Sequence, residues 1–239
     1  MKNIFVFLIA LGMTLNLSAT ERADHSLWTS LLKKHVSSSG SVDYKGFKED
    51  MEELDEYLIE LKTKAPQGDW TKNEKKAFYI NAYNAYMIKF LLAKYPVKSP
   101  KDAKFSGKDI WHFRMVLIGP QRYDLTQIEN NVLRTMGDPR IHFAINCGAL
   151  SCPKLLNEAY ESEKLNAQLT AATKLFLANK THNVIASKKV KISKIFEWYA
   201  EDFKKEDALI KFLNKYGPVT VNADAKIEYL EYNWQLNGQ

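Results

Sequence analysis

The sequence predicts an α+β fold: a mostly helical single domain with a small mixed or antiparallel sheet around one buried central helix. Helical apolar spacing recurs along most of the chain, while short strand-like runs come in pairs around turn residues, without the regular βαβ alternation of a parallel sheet. A composition of 46% hydrophobic and 12% aromatic residues suits a packed globule. No repeat, Gly/Ser-rich linker or low-complexity run divides it.

Met1 to Ala19 open with a lysine, continue with an apolar run from Ile4 to Leu15 and end on a small residue, the layout of a secretory signal peptide. The mature chain is therefore expected to occupy residues 20–239 as one domain, exported to the periplasm or secreted. The apolar run is shorter than the ~20 residues that cross a bilayer, so no stable membrane span is expected after processing. No cysteine follows it to carry a lipid.

Phe47, Met51, Leu54, Leu58 and Leu61 recur at helical spacing with acids between them and predict an amphipathic surface helix. Thr71 to Glu74 form a capping-box pattern that opens a longer helix toward Lys94, before Pro96 stops it. That helix is apolar nearly all round and is expected to be the central one, interrupted by Asn81, Asn84 and Lys89. Trp111–Ile118 and Arg122–Leu125 flank Gly119-Pro120 as a hairpin. A helix follows, with Thr126 and Glu129 at capping-box spacing and Gly137-Asp138-Pro139 at its end. His142 to Asn146 then read as a short buried strand, and Pro153 suits the first position of a short helix. Leu165, Leu169, Ala172 and Phe176 mark an amphipathic helix, Val184–Ile185 and Val190–Ile192 a second hairpin, Phe196–Phe203 and Asp207–Lys215 further helices, and Ile227–Tyr232 a last strand.

The precursor's net charge of +6 is distributed as scattered lysine pairs, the pattern of a solvated surface. Export and the lack of stacking motifs between these lysines argue against nucleic acid. Anionic envelope material, such as acidic glycan or a membrane surface, stays open as a partner.

The chemistry concentrates in Arg140 to Pro153, RIHFAINCGALSCP, which holds His142 and both cysteines, Cys147 and Cys152. A helix beginning at Pro153 would favour a thiolate at Cys152, and a nearby imidazole would add to the effect. Two cysteines in an exported chain equally suit a disulfide, which in so short a loop pins the loop more than the fold. A redox pair would normally be separated by two residues rather than four. None of the spacings matches a common zinc pattern, so neither a metal nor a cofactor is expected. Asn81 and Asn84 share one helix face and need partners, either a neighbouring backbone or a polar cleft. Glu129 could act as a general acid or base, although the cap would give it a local role. Asp124 and Arg134 are expected to serve caps or surface pairs.

Four stretches in order, FYINAYNAYMI at Phe78 to Ile88, LTQIENNVLR at Leu125 to Arg134, RIHFAINCGALSCP, and IEYLEYNWQLN at Ile227 to Asn237, resemble the DUF547 family. The resemblance runs from about Val42 to Asn237. The family is defined as a domain of unknown function, so the resemblance implies no set of catalytic residues. On residue chemistry, the expected function is a thiol-dependent hydrolase or acyltransferase acting on peptide or acyl substrates. Cys147 is the preferred nucleophile, His142 the base and an asparagine the orienting group, with Cys152, Glu129, Asn81 and Asn84 as further candidates. Papain-like enzymes place cysteine before histidine in the chain, whereas here the order is reversed. The alternative is a non-catalytic envelope module whose cleft binds a partner or glycan.

Overall fold

The computed structural model describes residues 21–204 and 209–238. The expected signal peptide, Met1 to Ala19, and the expected mature start at Thr20 lie outside the described residues. Helices α1 (Ser26–His35), α2 (Tyr44–Glu49) and α3 (Met51–Thr63) form the first layer. Trp28 of α1 stacks on Tyr57 of α3 with ring centres 5.6 Å apart. The predicted helix over 47–61 is thus two helices, because Asp43 caps α2 through Gly46 and the chain turns at Asp50 before α3 starts.

Helix α4 (Lys72–Leu92) is the central element. Its start is set by the predicted capping box: Thr71 accepts from the Glu74 amide, and Glu74 accepts from the Thr71 amide. From Ala77 to Leu92 almost every side chain is buried, which matches a sequence with no polar face. Lys76 is tied to Asp138 at 2.7 Å, both side chains largely buried, which fixes α4 against the segment that carries His142.

Among the described residues, three small sheets complete the fold. Strands β1 (Lys104–Phe105) and β2 (Lys108–Asp109) pair antiparallel, as do β3 (Val116–Ile118) and β4 (Gln121–Tyr123) around the Gly119 turn. The third sheet is mixed: β5 (Val184–Ile185) is antiparallel to β6 (Lys189–Ser193), and β7 (Lys226–Leu230) is parallel to β6. Between the second and third sheets run α5 (Leu125–Gln127), then α6 (Leu165–Ala178). After β6 come α7 (Ile195–Trp198), α8 (Ala200–Lys204) and α9 (Leu209–Tyr216). Sequence reading joins α7 and α8, but the chain breaks at Tyr199; the predicted start of the next helix, at Asp207, lies outside the described residues. Among the described residues no helix is long and apolar enough to cross a membrane.

Three further sequence expectations are corrected. The cap of α5 is Asp124 with Gln127, not Thr126 with Glu129, so the helix begins two residues earlier and Glu129 is released from capping. His142 does not lie on a strand: Pro139–Phe143 form a 3₁₀ turn started by Pro139 and capped by Asp138, which accepts from the Arg140 amide. Short apolar runs are ambiguous to periodicity because any compact conformation can bury them. With three residues per turn, successive side chains diverge by about 120°. Ile141 accordingly enters the main core around α4, Phe143 enters a second core formed by α6, β6 and the C-terminal helices, and His142 points elsewhere. The third correction is that no helix follows Pro153. Residues 153–164 are irregular and are held by side chains instead, notably Thr29 at the Ala159 amide and Asn81 at the Tyr160 amide.

Candidate active site

His142 opens onto a cleft of about 470 Å³ where the two cores meet. Each stretch that carries the family resemblance contributes to its lining: Tyr83, then Glu129 and Arg134, then His142 with Cys147 and Cys152, then Tyr232 and Trp234. Segments far apart in sequence therefore converge on one place.

The imidazole is fixed from two sides. Its ring stacks on Tyr199, centres 3.9 Å apart, and its Nε2 lies 2.7 Å from Asp202 Oδ2. Arg134 forks onto the same carboxylate, with Nε 2.6 Å from Oδ2 and Nη2 3.0 Å from Oδ1. Burial alone would raise the Asp202 carboxyl, but the hydrogen bonds from His142 and Arg134 outweigh it and hold the group well below the usual carboxylate range. A charged carboxylate only accepts, so His142 Nε2 carries the proton. The orienting group of the histidine is thus Asp202, not the asparagine expected from sequence.

Nδ1 lies 3.8 Å from Glu129 Oε1, beyond hydrogen-bond reach. Glu129 sits in a π-helical turn, Ile128–Leu133, which widens the helix one residue after α5 and is a local form often found at functional positions. The residue is 8% exposed, and its Oε1 has no hydrogen-bond partner. The phenols around it respond. Burial pushes the Tyr199 and Tyr232 hydroxyls well above the ordinary tyrosine range, and the Glu129 charge adds to both shifts.

Cys147 and Cys152 are joined as a disulfide with Cα atoms 6.1 Å apart, so neither sulfur is a thiolate in this form. The Tyr232 hydroxyl lies 3.2 Å from Cys147 Sγ and 3.1 Å from Cys152 Sγ, and the Cys147 amide donates to Cys152 Sγ. Without a helix at Pro153, the helix-terminal activation expected for Cys152 has no structural source.

Asn81 and Asn84 do not line the cleft. Asn81 donates to the Tyr160 carbonyl and accepts from the Tyr160 amide. Asn84 donates to the Ala144 carbonyl at 2.9 Å and accepts from the Asn146 amide at 2.8 Å, which clamps the loop just before Cys147. Both amides are engaged by backbone groups. Asn146 continues the clamp: it donates to the Pro153 carbonyl and accepts from the Gly148 amide and from Asn237. Gly148 is required here, because its φ is +79° and a Cβ would meet Leu91 Cδ1 at 2.6 Å.

The groups missed by sequence reading are Asp202, which holds His142 from behind, and, in the cleft wall, Tyr199, Tyr232 and the tryptophans Trp111, Trp198 and Trp234. Their separation from His142 in the chain hid them; the last resembling stretch, which holds Tyr232 and Trp234, offered a signal. A larger surface cavity, about 790 Å³, lies on the other side of Cys152-Pro153, but its titratable lining is limited to Lys154 and His182.

A family model described as "Protein of unknown function, DUF547" matches residues 68–177. Neither the curated proteins nor the solved structures yield a match. The matched span covers Glu129, His142 and both cysteines, while Tyr199, Asp202 and Tyr232 lie beyond it.

Proposed function

We propose, for a chain that belongs to the DUF547 family through residues 68–177, an exported hydrolase or acyltransferase that acts on peptide or acyl substrates in the cleft of Glu129 and His142. The observation that carries this reading is the oriented imidazole, tied through Nε2 to a charged Asp202 and facing Glu129 with Nδ1. In the hydrolytic step Nδ1 takes a proton from water as the water oxygen bonds to the substrate carbonyl carbon. The acyl–nitrogen or acyl–oxygen bond then breaks, and the imidazolium returns the proton to the leaving atom. Transfer replaces water by an amine or hydroxyl acceptor. The transient imidazolium would sit between two carboxylates, which lowers its energy.

A thiol route through Cys147 requires reduction first: a dithiol donor would take the disulfide to two thiols and itself become a disulfide. Export is part of the proposal; Met1 to Ala19 support it, and a disulfide is the usual state of paired cysteines outside the cytosol.

A second reading is the non-catalytic envelope module. The closed disulfide and the tryptophan wall favour it, since indole faces stack against sugar rings as well as against acyl groups. The test is turnover of a panel of aminoacyl and acyl p-nitroanilides and p-nitrophenyl esters by the mature, oxidised chain. His142→Gln is expected to lower kcat by about 100-fold and Asp202→Asn by at least about tenfold, with KM little changed. No turnover across the panel, combined with glycan binding that quenches tryptophan emission, would favour the module.

A further inference from the structure

We propose that Glu129 makes the cleft selective for a cation, an ammonium group carried by the ligand next to the carbonyl that reacts. The inference rests on the reading above for the identity of that carbonyl, and on the structure of the cleft for everything else. Glu129 is more than nine-tenths buried, lines the cleft, and leaves Oε1 without a hydrogen-bond partner. A carboxylate in such a place normally has a cationic partner, because removing its charge from water is costly.

No lysine or arginine pairs with it among the described residues. Arg134, the cation in the same helical segment, is already divided between Asp202 and the Asn130 side-chain oxygen. His142, with its Nε2 proton directed at Asp202, brings no net charge in its neutral form. With Arg134 turned onto Asp202, the Glu129 carboxylate faces the cleft with no lysine or arginine at salt-bridge distance among the described residues, its nearest nitrogen partner being His142 Nδ1 at 3.8 Å. Burial first, then the Glu129 charge, raises the Tyr83, Tyr199 and Tyr232 hydroxyls above the ordinary tyrosine range.

The walls suit a cation as well. Trp198 and Tyr232 have ring centres 4.9 Å apart, Tyr232 and Trp234 4.7 Å, and Trp111 meets Trp234 edge-on at 5.8 Å. Aromatic faces attract ammonium groups through their quadrupole. The chain's own Lys101 ammonium already stands 3.9 Å from the Trp234 ring centre. A neutral sugar could stack on these rings, but it would leave the charge of Glu129 unmatched, and an anionic ligand would oppose it. A peptide or aminoacyl compound with a free amino group meets both demands: the ammonium pairs with Glu129, and the neighbouring carbonyl comes within reach of His142.

The test compares leucinamide, which carries an α-ammonium, with N-acetylleucinamide, in which that group is a neutral amide. Binding to the oxidised mature chain at pH 7 is followed by tryptophan emission. Leucinamide is expected to bind at least about tenfold more tightly. E129Q should abolish the preference. His142→Gln removes the proposed base but keeps Glu129, so it should retain the preference. A retained preference in a protein that hydrolyses nothing defeats the catalytic reading and leaves this one standing. Equal binding of the two amides by the wild type, or binding of neither, overturns the inference even in a protein that is an active hydrolase. If E129Q does not fold, the wild-type comparison still decides, with competition by tetramethylammonium as the second measurement: displacement of leucinamide supports cation selectivity and its absence refutes it.

Discussion

Replacing Asn84 by leucine tests whether the loop before Cys147 is held in the way the structure indicates. Asn84 is 2% exposed and makes two hydrogen bonds to backbone, to the Ala144 carbonyl at 2.9 Å and from the Asn146 amide at 2.8 Å. Leucine has the same number and branching of side-chain heavy atoms but bulkier methyl ends, so the substitution opens no cavity and adds some crowding; its main effect comes from the two backbone groups it strands. Each stranded group costs about 1–3 kcal/mol, and partial relaxation should bring the total to about 3 kcal/mol. For a domain of this size each kcal/mol lowers Tm by about 2–4 °C, giving a fall of about 6–12 °C. Thermal and urea denaturation followed by circular dichroism would measure it, with the urea slope showing whether the folded state remains compact. Asn81→Leu should lose a similar amount, because it serves the Tyr160 carbonyl and amide in the same way. The two amides share no partner but are neighbours on α4, so any shortfall from additivity in the double variant measures the coupling between them. A change below about 1 kcal/mol in Asn84→Leu would refute the reasoning, since it would mean that water reaches both stranded groups and that the loop is not clamped by α4.

Three further predictions concern pH and the disulfide. His25 is buried against the Tyr57 hydroxyl at 2.7 Å, and burial brings its pKa from 6.5 down to about 4. Because the unfolded chain takes up that proton first, stability is complete above pH 6.5 and declines toward pH 4 by roughly 3 kcal/mol; His25→Gln should flatten that part of a stability–pH profile. At lower pH Asp138 takes over: burial raises its carboxyl, but hydrogen bonds from Arg140 and Lys76 prevail and bring it from 3.8 to about 2. The stability it contributes is present above 3.8 and lost as pH falls through 2, and a profile without a second decline there would contradict the buried Lys76–Asp138 pair. For the cysteines, five positions apart, the small loop predicts that reduction costs only about 2 kcal/mol. Mass spectrometry should find no alkylation before reduction and two alkylated cysteines after it, in a domain that stays folded; global unfolding on reduction would show that the bridge supports the core.

The sequence made the frame legible where a signal is local. The Thr71–Glu74 cap, the apolar circumference of α4, the Gly119 turn and the amphipathic rhythm of α6 each depend on residues within a few positions of one another, and each appears in the structure. Four of the six candidate site residues, Glu129, His142, Cys147 and Cys152, do line one cleft. What stayed hidden depends on distance along the chain. Asp202 lies sixty positions from the histidine it orients, and Tyr232 reaches the disulfide from the far end of the chain. The strand expected at His142 failed for a different reason: two cores on either side of Pro139–Phe143 bury Ile141 and Phe143 separately, and the 3₁₀ turn serves both. The shift of the α5 cap from Thr126 to Asp124 moved by two residues and changed the meaning of Glu129, from a capping group to a buried acid that faces the cleft.

The central claim is that the line of Glu129, His142 and Asp202 performs chemistry while the Cys147–Cys152 bridge is intact. It is tested most directly by turnover of an aminoacyl p-nitroanilide without reductant and with iodoacetamide present, in chain verified by mass to be oxidised. The account predicts turnover that iodoacetamide leaves unchanged and that falls by about 100-fold in His142→Gln. Turnover that appears only after reduction and is then abolished by iodoacetamide would contradict it and assign the chemistry to a cysteine thiolate.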